Sequence, residues 1–136
     1  MRYKLNIEKL VNSIGFTICY QTFDRKNILG YINKGDINII VVSKKEEAVK
    51  RYIIADCLVH YLESEDKDNF YYETNENIYD DYFMKLTADL LIPTRIIKRL
   101  TKRKNNQELS EYFDVPLFLI ERKLLDLKPK SKKYNK

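Results

Sequence analysis

Apolar residues recur along this chain in two periods, and the change of period divides it. Ile7, Leu10, Val11 and Ile14 stand at i, i+3, i+4 and i+7, the spacing of one helix face, with Asn6 placed to cap that helix and Gly15 placed to end it. Short strand-like runs follow at 17–21, 29–33 and 37–42. The breaks between them, Asp24-Arg25-Lys26-Asn27 and Lys34-Gly35-Asp36, are turn-forming, so the last two runs read as a hairpin. Helical spacing then returns. Ser43-Lys44-Lys45-Glu46 has the spacing of a capping box and predicts a helix running to about Glu63.

Residues 64–76 are rich in Asn, Asp and Glu and read as a loop with Phe70, Tyr71 and Tyr72 embedded in it. A second long helix is predicted over 78–91, stopping near Pro93 because the residue before a proline avoids helical backbone. Pro93-Thr94 opens a third, basic helix. Residues 107–113 and 117–127 make a closing helical pair around Asp114-Val115-Pro116. Strands followed by helices predict an α+β fold: a small antiparallel sheet packed against helices, with a helical C-terminal part. The expected organisation is a single domain over 1–127 and a basic disordered tail over 128–136.

Composition narrows the class. With 136 residues, 44% of them hydrophobic, the chain is long enough for a real core, while 33% charge makes its surface strongly ionic. No apolar run reaches the roughly 18 to 20 residues of a membrane span, and the first residues are too polar for a signal-peptide core, so the expectation is a cytoplasmic protein with no membrane partner. Two cysteines, Cys19 and Cys57, make no disulfide framework. Cys19 sits in an apolar strand-like run and is expected to be buried as a small hydrophobe.

Charge is uneven. The stretch 63–81 carries eight acids against Lys67 alone, whereas Arg95, Lys98, Arg99, Lys102, Arg103 and Lys104 follow one another with no acid between them. The basic run is a candidate footprint for nucleic acid or an acidic surface. Phe70, Tyr71 and Tyr72, with Glu73 and Glu76, are candidate partner-binding residues, since aromatic rings among acids suit a basic protein partner.

The helix after Ser43 reads Arg51-Tyr52-Ile53-Ile54-Ala55-Asp56-Cys57-Leu58-Val59-His60-Tyr61-Leu62. In a zinc-protease helix, H-E-x-x-H puts two imidazoles on one face to bind zinc, with the Glu as general base. This segment resembles the R-F-T-I-A-H-E-L-G-H-Y-L signature of the ImmA/IrrE family of metallopeptidases. Two further segments are similar to that family in the same order. Tyr82-Phe83-Met84-Lys85-Leu86-Thr87-Ala88-Asp89-Leu90-Leu91-Ile92-Pro93 resembles E-A-N-x-F-A-A-x-L-L-M-P, and 108–116 with 121–124 resembles L-A-x-x-F-x-V-S and an R-L ending. Together they span roughly residues 37 to 127.

The resemblance implies a zincin-like fold, and it fails at the chemistry. Asp56 stands where the first His belongs, Cys57 where the Glu belongs, and Tyr82 where the third ligand, a Glu, belongs; only His60 remains. Tyr seldom ligates zinc at neutral pH, with a reference pKa of about 10, and a Cys of about 8.5 is a poor base for metal-bound water. A one-residue shift would offer Asp56, His60 and Asp81 instead, a set poorly suited to zinc and without a base. A Cys57–His60 nucleophile pair lacks any recognisable oxyanion-hole loop in a chain with three glycines. The expectation is therefore no catalytic residues, no metal and no cofactor, with His60 a hydrogen-bonded core residue, and with Asp56, His60 and Tyr82 converging on one relict pocket.

In that family the peptidase typically disables a repressor of a phage or mobile element. The resemblance thus implies a pseudoenzyme that inhibits a repressor or host protein by occupying it. The alternative is a helix-turn-helix-like nucleic-acid binder over 107–124, with Leu109, Phe113, Val115 and Leu119 at the right spacing and Arg122-Lys123 beyond. Against it, Leu117-Phe118-Leu119-Ile120 fills the supposed recognition helix with apolar side chains, where base readout needs polar ones.

Overall fold

Helix α1 (Ile7–Ser13) starts where Asn6 accepts the Lys9 N–H, 2.9 Å away, and is closed by Gly15 at φ 109°. Strands β1 (Thr17–Gln21), β2 (Ile28–Asn33) and β3 (Asn38–Val42) follow, then α2 (Glu47–Glu63), β4 (Tyr71–Asn75), α3 (Asp81–Leu91), α4 (Thr94–Leu100), α5 (Asn106–Phe113) and α6 (Leu117–Leu127). This is the α+β fold with a helical C-terminal part that the pattern predicts. The computed structural model describes residues 3–25, 27–77 and 79–128. The predicted tail, apart from Lys128, and the predicted helix start at Ile78 lie outside the described residues.

The four strands are ordered β1-β3-β2-β4. β2 and β3 pair antiparallel as the expected hairpin, but β1 pairs with β3 in parallel, so the sheet is mixed rather than antiparallel. Burial explains the order. Ile39, Ile40 and Val41 of β3 are buried on both faces and take an interior position, whereas β1 is largely exposed and takes an edge. Cys19 is therefore exposed rather than buried. The predicted loop after α2 contains the other edge strand. β4 pairs antiparallel with β2, its polar residues suiting an edge with one wet face.

α2 lies across this sheet and is the centre of the core. Nine of its 17 residues are buried, all round the helix. It starts at Glu47 without a side-chain cap, because Ser43, expected to begin a capping box, instead continues the sheet by giving its N–H to the Gln21 carbonyl at 2.8 Å. A capping box does occur at α5, where Asn105 and Glu108 satisfy each other's backbone N–H. The approach of α2 to β2 is close: a Cβ on Gly30 would lie 2.7 Å from Ile53 Cγ2 and 2.6 Å from the Ile40 carbonyl oxygen.

Arg51, 3% exposed, fastens α2 to the N-terminal segment and to the α5–α6 turn. Its guanidinium donates to the carbonyls of Leu5 at 2.6 Å, Asp114 at 3.0 Å and Phe113 at 3.4 Å. Asp114 is the left-handed C-cap of α5 (φ 57°), which turns the last carbonyls of that helix toward Arg51. The same turn delivers Leu109, Phe113, Val115, Leu119 and Ile120 to the core, each no more than 1% exposed.

Gly30→Ala tests the contact between α2 and the sheet. The methyl has no room, so the variant should lose about 1–3 kcal/mol of stability by overpacking. An unchanged denaturant midpoint would show that α2 does not lie this close to β2.

Candidate functional site

Three helical stripes and one strand enclose a cleft of about 870 Å³. Val49, Tyr52, Asp56 and His60 come from α2, Phe83 and Met84 from α3, and Phe118, Glu121, Arg122 and Leu125 from α6. Within α2 and α6 these positions recur at three- and four-residue steps, so each presents one face to the space. β4 supplies Tyr72 and Thr74. They share the sheet face of Ile32 and Gly30, their register partners on β2, and that face meets α2. The volume is in the range of ligand pockets generally.

The floor is a closed hydrogen-bond cluster around Asp56, which is 5% exposed. Its Oδ2 accepts from the Tyr72 hydroxyl at 2.9 Å and the Thr74 hydroxyl at 2.8 Å. Cys57 Sγ lies 3.7 Å from Thr74 Oγ1. Because Thr74 uses its proton on Asp56, the thiol is the donor in that contact. His60 Nδ1 lies 2.8 Å from the Asp56 carbonyl oxygen, which can only accept, so Nδ1 carries a proton. The imidazole is sandwiched between Tyr72 (centroids 3.6 Å apart, 11° between planes) and Phe83 (3.7 Å, 16°).

Burial pushes the Asp56 carboxyl above its ordinary range, outweighing the opposing pull of His60 and the hydroxyls of Thr74 and Tyr72. Burial also raises the Cys57 thiol, and burial together with the Asp56 carboxylate raises the Tyr72 phenol. Both therefore stay protonated at neutral pH and act as donors. Cys57, fully buried and engaged with Thr74, is neither a base nor an accessible nucleophile.

The expected convergence of Asp56, His60 and Tyr82 does not occur. α3 does lie beside α2, but its phase places Phe83, the next residue, over His60. Tyr82 is 54% exposed and donates to Glu63 Oε1 at 2.8 Å, outside the cleft. The shifted set fails as well, since Asp81 is clamped by Arg122 through two bonds of 2.8 and 3.0 Å. Among the described residues no three His, Cys, Asp or Glu side chains come together to hold a metal ion. The zinc implied by the resemblance does not fit these residues. Asp56 is already bonded twice on one oxygen, both faces of the His60 ring are covered by Tyr72 and Phe83, and Tyr82, at the third position, bonds Glu63 outside the cleft.

The candidate partner-binding residues are dispersed. Tyr72 and Glu76 line the cleft. Phe70 meets Tyr61 edge-on at 5.7 Å, Tyr71 leans on Tyr31 at 5.6 Å on the sheet face away from α2, and Glu73 accepts from Arg25 at 3.3 Å. In the proposed helix-turn-helix, Arg122 also bonds Asp126 at 2.8 Å, and Lys123, 1% exposed, reaches Asp89 at 2.8 Å. Neither is free to contact bases. Arg95, Lys98, Arg99, Lys102 and Arg103 are exposed, while Lys104 is half-buried with its ammonium 5.8 Å from the centre of the Tyr112 ring.

Sequence reasoning missed Thr74, Phe83, Tyr52 and Phe118. A signal existed for the first: Thr74 follows Tyr72 by two, so any strand there puts both on one face. Tyr52 stands four residues before Asp56 on the same helical stripe, and Phe118 meets it edge-on at 5.1 Å.

A buried carboxyl with a raised pKa holds its proton more tightly folded than unfolded. Its contribution to stability is complete below the ordinary value of 3.8 and is lost as pH rises through the folded value. Asp56→Asn should remove that loss, gaining on the parent protein as pH rises from about 4 to about 8. Denaturant midpoints of the two proteins across that range check it; a constant difference would mean that Asp56 is not held protonated by burial.

No family model matches the chain, and no curated protein or solved structure matches it either.

Proposed function

We propose that this protein is a non-enzymatic binding protein of a phage or other mobile element, working in the cytoplasm. It inhibits a repressor or host protein by occupying it through the cleft between α2, β4, α3 and α6. The observation that carries this reading is the closed cluster at the cleft floor. The positions that the ImmA/IrrE resemblance assigns to zinc ligands and base are engaged with one another, with the backbone or with solvent-side partners, so water activation has no apparatus there. The cleft above them nevertheless remains open and largely apolar.

The walls suit a protein partner. Phe118 and Leu125 are 43% and 58% exposed and stand beside Tyr79, 63% exposed, at the mouth. Large exposed apolar side chains clustered around a concavity mark interaction sites rather than ordinary surface. The polar rim around them includes Lys45, Glu76, Asp80 and Glu121. Lys45 meets Glu76 at 3.7 Å, leaving Asp80 and Glu121 as an acidic excess that favours a basic segment of the partner. No helix among the described residues is long and apolar enough to cross a membrane.

The test pairs the protein with the transcriptional repressor of the same mobile element, in a reporter strain and in purified form. The repressor should lose activity while its mass stays that of the intact chain. Leu125→Asp and Phe118→Ala, both at exposed positions, should weaken the complex at least about tenfold with little change in melting temperature. Cleavage of the repressor, or full binding by both variants, would reject the proposal.

A further inference from the structure

Seven of the described cations are ion-paired, and others, Lys50 and Lys67 among them, rest over aromatic rings. Lys4, Arg25, Lys45, Arg51, Lys85, Arg122 and Lys123 each face a carboxylate within 4 Å. The run on α4 behaves differently. Arg95, Lys98, Arg99, Lys102 and Arg103 are all exposed, and none has an ion-paired or hydrogen-bonded side-chain partner among the described residues.

Their spacing is i, i+3, i+4, i+7 and i+8. The opposite face of α4 is fixed in the core by Ile97 and Leu100, at 0% and 2% exposure. The chain continues coiling past the end of the helix, with the N–H groups of Thr101, Arg103 and Lys104 returning to the carbonyls of Ile97 and Leu100. The five cations thus project outward from one rigid, half-buried element, with no acid in its sequence. Like charges held this close repel one another. Water and salt screen that repulsion in part, and an anionic ligand would relieve it further.

We propose that this face of α4 and its following turn is a docking strip for the phosphate backbone of double-stranded DNA. Successive cations one turn apart are about 5–6 Å apart along the helix axis, and a duplex offers each strand a phosphate about every 3.4 Å, so several contacts form at once. A single-strand site would need rings on which bases stack, and no aromatic residue lies between Arg95 and Lys104. Duplex RNA is read largely through its shape and its 2′-hydroxyls. The strip offers little for that task, since Thr101 directs its hydroxyl to the Lys98 carbonyl and Asn105 caps α5. Binding is through charge, without reading sequence. The strip is distinct from the cleft and carries its own function whether or not the cleft binds a repressor.

The test is fluorescence anisotropy with the full chain and a short random-sequence DNA duplex, titrated at several salt concentrations. With no partner protein present, the result is independent of the cleft. Four or five phosphate contacts predict a slope of log K against log salt of about −4, and Lys98→Ala with Lys102→Ala should reduce its magnitude by about 2. Arg95→Glu with Arg99→Glu should weaken binding more than about tenfold at low salt. Arg95→Gln with Arg99→Gln serves if charge reversal disturbs folding, and Lys9→Ala with Lys44→Ala should bind as the parent does. Absence of duplex binding at low salt would overturn the proposal. So would undiminished binding by the folded α4 variants, which would assign it to the cations at 128–136, or tighter binding to single strands, duplex RNA or phosphatidylserine vesicles.

Discussion

The contact of α2 with β2 at Gly30 sets the terms for the rest of this fold. With no side chain at that point, the helix settles against the sheet closely enough that a methyl group would collide with Ile53 and with the backbone of β3. A helix so placed is surrounded, with α1, α3 and the sheet all against it. Every polar side chain it carries into that environment has to find a partner, since an unpaired buried polar group costs about 1–3 kcal/mol.

Arg51 and Asp56 meet that demand in opposite ways. Arg51 gathers three carbonyls from the N-terminal segment and the α5–α6 turn, so a buried cation joins parts of the chain distant in sequence. Asp56 gathers two hydroxyls from β4, and with His60 forms a floor under the cleft. The stack of Tyr72, His60 and Phe83 ties β4, α2 and α3 together at the cleft floor. The imidazole, covered on both faces, is part of a packed joint.

The ion pairs of α3 and α6 follow the same economy. Arg122 and Lys123 look like a basic dipeptide for a ligand, yet one clamps Asp81 and Asp126 and the other is buried on Asp89. They hold α6 against α3 and so fix the wall that carries Phe118 and Leu125. By contrast, five cations follow one another along α4 and its turn with no ion-paired partner among the described residues. The two surfaces, an apolar cleft with an acidic rim and a cationic strip, are built on different helices.

The sequence by itself determined the elements whose signals are local. α1 with its Asn6 cap, β1, the β2–β3 hairpin, the end of α2 at Glu63 and the bounds of α6 all stand where periodicity and turn chemistry put them. The i, i+4 placement of Asp56 and His60 on one helical face was equally legible, as was the unbroken basic run on α4. Three matters were decided only by tertiary structure. The parallel pairing of β1 with β3 follows from which strand can be buried on both faces, a competition among strands that no single segment reveals. Strand β4 was hidden in an acidic stretch because its pairing partner, β2, lies some forty residues away. The rotation of α3, which puts Phe83 rather than Tyr82 over His60, is fixed by how Ala88 and Leu91 seat in the core and by the Asp81–Arg122 clamp. One step of helical phase carries a side chain from the cleft to solvent, and that step is set by packing.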